Sequence, residues 1–309
     1  MANNFMETDS ISEIVPEKVH STVNFNRYDS IKTYYDIAGP DYEVWSHQFN
    51  MHFGYIRSFM DVFSLEKMLV NMSDEVINQL QLGKTSAHIA DLGCGVGAVA
   101  RYTAKKYPAV NITGVTISKY QVEKASALNR KDDLHRQISI VNENFEALSF
   151  EDESFDHAYA LESACHSSGS SKELFIAEMA RILKKDGRFC IADGFLKPDA
   201  KRPSLFNYLN KKITKFWAVP CFANIDEFER TLKEYDLKDI SIREISWKIA
   251  PSVMYVPWTC VKFFVKEIWR NKSLRMEKER WNNVYAPVLG MILGLYRKHF
   301  GYYIITGKK

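Results

Sequence analysis

Asp91-Leu92-Gly93-Cys94-Gly95-Val96-Gly97 is the stretch on which the fold turns. It follows the apolar run Ala87-His88-Ile89-Ala90 directly and opens into a helical stretch, Gly97 to Lys106. Three glycines therefore fall in the turn between a strand and a helix. Without Cβ atoms such a turn bends tightly and lets a ligand lie against backbone N–H groups at the helix start. In open α/β sheets, the crevice beyond the carboxyl ends of the strands is where ligands bind.

Outward from this turn, strand and helix keep trading places. Asn111 to Val115 reads as strand, Lys119 to Asn129 as helix, and Ile138 to Val141, Phe155 to Leu161 and Arg188 to Asp193 as strands. A helix over Lys172 to Leu183 precedes a turn at Lys184 to Gly187. Such repetition predicts an α/β fold, Rossmann-like, with a mostly parallel seven-stranded sheet and helices on both faces. Before the core, residues up to about Phe25 are polar and aperiodic and read as a mobile arm. Tyr28, Tyr34, Tyr35, Tyr42, Trp45 and Phe49 then recur at spacings suited to short helices of a lid, and Ser64 to Leu82 forms the helix entering the core. After Phe195 an aromatic-rich segment runs to Phe222, followed by a helix near Ile225 to Tyr235 and strands at Ile240 to Ile245 and Tyr302 to Thr306. The expected division is an arm and helical lid over 1–60, a ligand-binding core over 61–197, and a cap insertion with the last strands over 198–309.

A chain of 309 residues with 46% hydrophobic and 26% charged residues suits one large globular core. A net charge of +3 is too small and too dispersed to imply a nucleic-acid partner. Lysine and arginine are denser after Lys197, which suits an anionic substrate, a peripheral membrane contact, or simply a solvated face. Five scattered cysteines without a CxxC pair suggest neither a zinc knuckle nor a disulfide scaffold, and fit a reducing cytoplasm. The first residues lack a secretion signal, and no stretch reaches ~18 uninterrupted apolar residues. Aromatic lids often pair across dimers, so a homodimer is an expectation by analogy alone.

A lone glycine run also suits an NAD site or a plain tight turn. Asp91 separates these readings. An acid just before the glycines suits a ligand carrying an ammonium group, such as the methionyl end of S-adenosylmethionine (SAM), whereas it repels a pyrophosphate. The DxGxGxG pattern resembles motif I of class I SAM-dependent methyltransferases, and the resemblance extends from about Ile31 to Asp193. It implies SAM as cofactor, with Asp91, Gly93, Cys94, Gly95 and Gly97 at its binding turn. Where that superfamily usually holds the ribose with an acid, this chain has Thr116-Ile117-Ser118-Lys119-Tyr120-Gln121. That run is similar to the subgroup of cyclopropane-fatty-acid synthases, tocopherol methyltransferases and sterol methyltransferases. Thr116, Ile117 and Gln121 are thus expected at the ribose, where hydroxyl and amide can bond without charge. Ser118 also suits a helix cap. Asn144 and Phe145 stand where the family reads the adenine.

Glu162-Ser163-Ala164-Cys165-His166 follows the fourth strand at the same crevice and resembles the Glu-(Ser/Ala)-x-x-His segment of sterol and related C-methyltransferases. Transfer from SAM mainly needs alignment and a dry pocket. A carbon acceptor leaves a carbocation that needs aromatic faces and a base for the final proton. The resemblance places Glu162 and His166 in that role, with Glu162 also touching the cofactor. The bland alternative is that Glu162 caps a helix and His166 is a neutral core histidine; Cys165 reads as packing. Upstream, Tyr34-Tyr35-Asp36 and Met51-His52-Phe53-Gly54 resemble the family's lid pieces, which implies that Tyr35 and His52 face the methionyl end and sets His52 beside the reaction.

Between Phe206 and Tyr303 lie many aromatic residues, among them Phe206, Phe216, Trp217, Phe222, Trp258, Phe263, Trp281 and Tyr296, a density suited to enclosing a greasy acceptor as well as to packing. A hydrophobic acceptor methylated at carbon is therefore expected: an isoprenoid, a prenyl diphosphate or a sterol-like natural product. For a diphosphate, Arg27, Lys32 and the lysines from Lys211 to Lys215 would hold the phosphates, with magnesium assisting. An O- or N-methyltransferase, a SAM-binding sensor without turnover and an NAD-dependent oxidoreductase are the competing readings. The last is disfavoured by Asp91 and by Thr116 standing where an acid would hold the ribose.

Overall fold

The computed structural model describes residues 25–198 and 201–309; the arm expected before residue 25 lies outside the described residues. The expected alternation is present: β1 (Ala87–Leu92), α3 (Ala98–Lys106), β2 (Val110–Thr116), α4 (Lys119–Lys131), β3 (Ile138–Asn142), β4 (Phe155–Leu161), α5 (Glu173–Ile182) and β5 (Leu183–Leu196). They are preceded by α1 (Phe25–Ala38), a 3-10 turn over Gly39–Val44, a second over Phe59–Phe63, and α2 (Leu65–Gln79). Beyond β5 come α6 (Ser204–Phe216), β6 (Ala223–Asn224), α7 (Ile225–Glu234), β7 (Lys238–Glu244), α8 (Ser246–Val253), α9 (Val256–Asn271), α10 (Lys278–Gly294) and β8 (Phe300–Lys308).

Seven strands form one sheet in the order β3-β2-β1-β4-β5-β8-β7, and the two-residue β6 adds an eighth beside the end of β5. The strands from β3 to β5 are parallel, while β8 runs antiparallel to both β5 and β7. From β1 the chain order runs outward through β2 and β3 on one side and through β4 and β5 on the other. Such a reversal leaves a crevice at the carboxyl ends of β1 and β4, where no crossover helix covers the strand tips. This is the position of the turn that starts at Asp91.

Each sheet face buries its own apolar layer. Phe175, Met179, Phe189, Phe195, Phe228 and Leu232 pack on the side of α5 and α7. Met72, Val76, Ile77, Ala100, Tyr159 and Ile304 pack on the side of α2 and α3. A sheet covered on both faces needs near-continuous apolar strands, which β4 and β5 supply. The turn expected at Lys184 to Gly187 is absorbed into β5. Leu183 pairs with Phe155 and Arg188 with His157, so the four residues Lys184 to Gly187 stand opposite Asp156 alone, three more than the partner strand supplies, with Asp186 at φ +62.

The C-terminal half splits between sheet and cap. Strands β7 and β8 and helix α7 complete the sheet layers, whereas α6 and the run α8 to α10 are excursions from it. Helices α6 and α10 meet through Phe206, Leu209, Ile213 and Leu293. No helix among the described residues is long and apolar enough to cross a membrane.

Phe228 is fully buried and meets the Phe195 ring edge-on, 5.1 Å between centroids. Phe228→Ala is expected to cost about 3–5 kcal/mol. Urea unfolding should show a lower midpoint at unchanged slope; a loss under about 1 kcal/mol would contradict the packing of this face.

Candidate active site

Asp91 lies in the last turn of β1, buried, and the Tyr159 hydroxyl donates to its Oδ2 at 2.6 Å. Burial pushes its carboxyl up to about 7 despite that bond. Beyond it the chain turns through Gly93 and Gly95 at φ +91 and +53. A Cβ on Gly93 would sit 2.3 Å from the Cβ of Ser163, and one on Gly95 would sit 2.9 Å from Met51 Sδ. Close approach and a left-handed backbone both require glycine here. A cavity of about 860 Å³, counting its open mouth, begins at this turn and is lined by Asp91, Gly93, Cys94 and Gly95. Gly97, also expected to touch the cofactor, does not line the cavity: it is the left-handed residue before α3, packed towards Arg101 and Ala125.

Thr116, Ile117 and Gln121 line the next wall. The Thr116 hydroxyl donates to Gln121 Oε1 at 2.5 Å, so the two expected ribose contacts already bond each other. Ser118 caps α4 by accepting from the Gln121 backbone N–H, as its position suggested. Asn144 and Phe145 form the adjoining wall, with Asn144 Oδ1 accepting from the Glu146 N–H and the Phe145 ring standing edge-on to Phe175.

Glu162 follows β4 with a left-handed backbone, φ +52, costly for a residue with a Cβ. Its backbone N–H donates to Ala192, and its Oε1 accepts from the Phe53 N–H and the Tyr302 hydroxyl, each at 2.7 Å. Oε2 carries no hydrogen bond among the described residues. Burial raises this carboxyl to about 8. Glu162 caps no helix; the 3-10 turn Ala164–His166 begins after Ser163. His166 Nε2 meets the Tyr35 hydroxyl at 2.8 Å, and burial lowers its imidazole to about 4, so the ring is neutral at physiological pH. Tyr35, Glu162 and His166 thus line one cavity.

His52 also lines it, with its imidazole lowered to about 4 by burial. Its Nδ1 meets the Phe53 carbonyl at 2.9 Å and its Nε2 meets the Asn50 side chain at 3.2 Å. With both nitrogens engaged, His52 fixes the loop that presents the Phe53 N–H to Glu162, and the geometry does not make it a base. Cys165 is buried and its thiol is pushed well up by burial, in keeping with packing.

Several residues that shape the site were not singled out from sequence. Glu146 is buried at the foot of the lid, where it accepts from Arg27 at 2.5 Å, from Tyr28, and from the Ser167 hydroxyl and Ser168 N–H at 2.6 Å each. Lys172 is fully buried and donates to the carbonyls of Cys165, Ser167 and Cys221. Asp193, raised to about 6 by burial, accepts from the Cys165 N–H. These last two hold the turn that carries His166. Glu146 stood beside the adenine motif and was the most findable, whereas Tyr302 lies 140 positions from Glu162 and no spacing rule joins them.

Two expectations need correction. Arg27 is paired with Glu146 and is not available to a phosphate, and among the described residues no group of three or more His, Cys, Asp or Glu is placed to hold a metal. The aromatic wall of the cavity also comes from the N-terminal half: Tyr28, Tyr35, Phe49 and Phe145 line it, whereas Phe206, Trp217, Phe222 and Phe263 pack within the cap.

Residues 90–191 match the family model described as a methyltransferase domain. O-methyltransferase resE of Aspergillus sclerotiorum is 29% identical over 84% of this chain and 89% of its own length. The 24-methylenesterol C-methyltransferase 2 of Oryza sativa subsp. japonica is 29% identical over 64% of this chain, and the match spans about half, 53%, of that protein. Among solved structures, the cyclopropane synthase MmaA2 from Mycobacterium tuberculosis superposes with a TM-score of 0.78 at 17% identity, over 91% of this chain and 98% of its own, which is a likeness of fold.

The buried, singly bonded Asp91 carboxyl and the glycine cradle fit the cationic, amino-acid end of SAM. Gly95→Val should abolish SAM binding, read by calorimetry, while the far-ultraviolet circular dichroism spectrum stays the same. Undiminished binding would remove this turn from the cofactor site. Motif, cavity, topology and matched domain agree, and the chain is a class I SAM-dependent methyltransferase.

Proposed function

We propose that this methyltransferase acts on carbon of a hydrophobic small molecule, an isoprenoid, a prenyl diphosphate or a sterol-like natural product, with Glu162 as the proton acceptor. The observation that carries this reading is the Glu162 carboxyl: buried, raised to about 8, fixed through Oε1, and set in a cavity walled by Tyr28, Tyr35, Phe49 and Phe145. SAM, when bound, supplies an already activated methyl group. The protein's share is then alignment, exclusion of water and disposal of one proton. Ring faces of Tyr35 and Phe145 offer negative potential to a carbon left electron-poor by methylation. Glu162 takes the proton at Oε2, while Tyr302 and the Phe53 N–H keep Oε1 in place. Neutral His166, held by Tyr35, orients the Tyr35 ring and hydroxyl at the same end.

A second reading is O-methylation, supported by the near full-length match to resE, itself named an O-methyltransferase. There Glu162 or His166 removes the hydroxyl proton as the oxygen attacks. Mass spectrometry of reactions with isoprenoids, sterols and phenols separates the two readings. A product heavier by one methyl, with a new C–C bond, is the result expected here, and a new C–O bond selects the second. SAM binding without any product would favour a sensor. Glu162→Gln should leave SAM affinity nearly intact and cut turnover by roughly 10²-fold or more. Unchanged turnover would place the base elsewhere.

A further inference from the structure

Helix α9 is apolar on both of its sides. Its inner side buries Val256 and Phe263, as a helix packed on a core should. Its outer side carries Trp258, Val261, Val265, Ile268 and Trp269, each between 50% and 85% exposed. The positions 258, 261, 265 and 268 follow helical spacing, so these side chains form one continuous stripe. Phe59 and Phe63, 76% and 68% exposed, lie on the 3-10 turn tied to the start of α9 by the Tyr255 hydroxyl, which donates to Val62 at 2.7 Å. At the far end stand Arg270, Lys272 and Arg275, exposed and without an ion pair among the described residues.

We infer that this face docks on an anionic lipid surface, with α9 lying in the plane of the headgroups. Two kinds of attraction coincide there, as reversible membrane binding requires: an apolar stripe and unpaired basic groups at its end. Trp258 and Trp269 are about 16 Å apart along the axis, at 1.5 Å per residue, and indoles favour the interface between headgroup and chain. Charge argues against a second copy as the occupant. A two-fold contact through this face would bring Arg270, Lys272 and Arg275 towards their own copies; Glu267 is engaged by Arg280 and Glu43 by Lys266, which leaves Glu277 and Glu279 at the start of α10 as the acids nearby to set against three basic groups. The face also adjoins the lid. Lys262 donates to the Val44 carbonyl and Lys266 pairs with Glu43, both on the turn that continues α1, whose Tyr28 and Tyr35 line the cavity. The inference concerns the surface and holds whichever atom is methylated.

The test is co-sedimentation of the full chain with vesicles of phosphatidylcholine, alone or mixed with phosphatidylserine. Binding to the mixed vesicles, about tenfold weaker to phosphatidylcholine alone and weakened by salt, is expected. The double variant Trp258→Ser, Trp269→Ser should lose about tenfold or more of that binding while its melting temperature and SAM affinity stay the same. The variant Arg270→Glu, Arg275→Glu should lose the preference for phosphatidylserine. Three results would overturn the inference: no sedimentation with either vesicle, binding unaffected by the tryptophan pair, or a wild-type dimer that the tryptophan variant converts to monomer.

Discussion

Two carboxyls held out of water at the tips of neighbouring strands are what the rest of this structure serves. Asp91 in β1 and Glu162 just after β4 are buried in one cavity, and burial raises them to about 7 and about 8. Taking an ionised carboxylate out of water without a cation is costly, so Glu162 is mostly protonated at neutral pH and Asp91, raised to about 7, is divided between its two forms there. Among the described residues neither carboxyl has a basic side chain bonded to it; Tyr159, Tyr302 and the Phe53 N–H are the partners. A site built in this way favours a positively charged ligand, because only that ligand lets both acids ionise where they stand. The strained backbone of Glu162 fits the same purpose, since it directs the side chain into the crevice instead of along the strand.

The lid is held by a second set of polar contacts around the same cavity. Glu146 grips Arg27 and Tyr28 from α1, the Ser118 hydroxyl donates to Asp36, and Tyr35 meets His166. Each of these links one end of α1 to a loop at the carboxyl edge of the sheet. The arrangement holds α1 against the cavity wall with charge-assisted and hydroxyl bonds, and Tyr35 lines that wall with Glu162 and His166. Packing the lid there limits the water around these groups, which strengthens every electrostatic interaction between them. Burial of the lid and the raised carboxyls therefore have one physical cause.

Much of this was legible in sequence because it is local. The strand, glycine turn and helix around Asp91 are contiguous, and the spacing of apolar residues placed β1 to β4 within two residues of their ends and the inner part of β5. Thr116, Gln121, Asn144, Phe145, Glu162 and His166 were named because the segments that carry them resemble those of the methyltransferase family, and the sheet brings these segments together at the carboxyl ends of its strands, where all six line one cavity. What was not legible depends on contacts across the chain. Tyr302 approaches Glu162 only because β8 inserts antiparallel beside β5, and Arg27 lost its phosphate role only when folding set it against Glu146. Aromatic density in the C-terminal half pointed to the acceptor wall, yet composition cannot distinguish a ring that lines a cavity from one that fills a cap. The four-residue bulge in β5 shows the same limit in the backbone, since Lys184 to Gly187 has the chemistry of a turn and is carried inside a strand by pairing on either side.

The most direct measurement is calorimetric titration near pH 7 with SAM, S-adenosylhomocysteine and NAD, repeated in buffers of different ionisation enthalpy. The Glu162 carboxyl, raised to about 8, is mostly protonated at that pH, and a cation placed beside it lowers the pKa and drives the proton off. S-adenosylhomocysteine keeps the amino-acid end but lacks the sulfonium charge, so the difference between the two ligands isolates that charge. Expected is binding of both, greater proton release with SAM than with S-adenosylhomocysteine, and no heat with NAD. Equal proton exchange for the two would contradict a sulfonium placed beside Glu162, and binding of NAD in preference to SAM would contradict the assignment of the cavity itself.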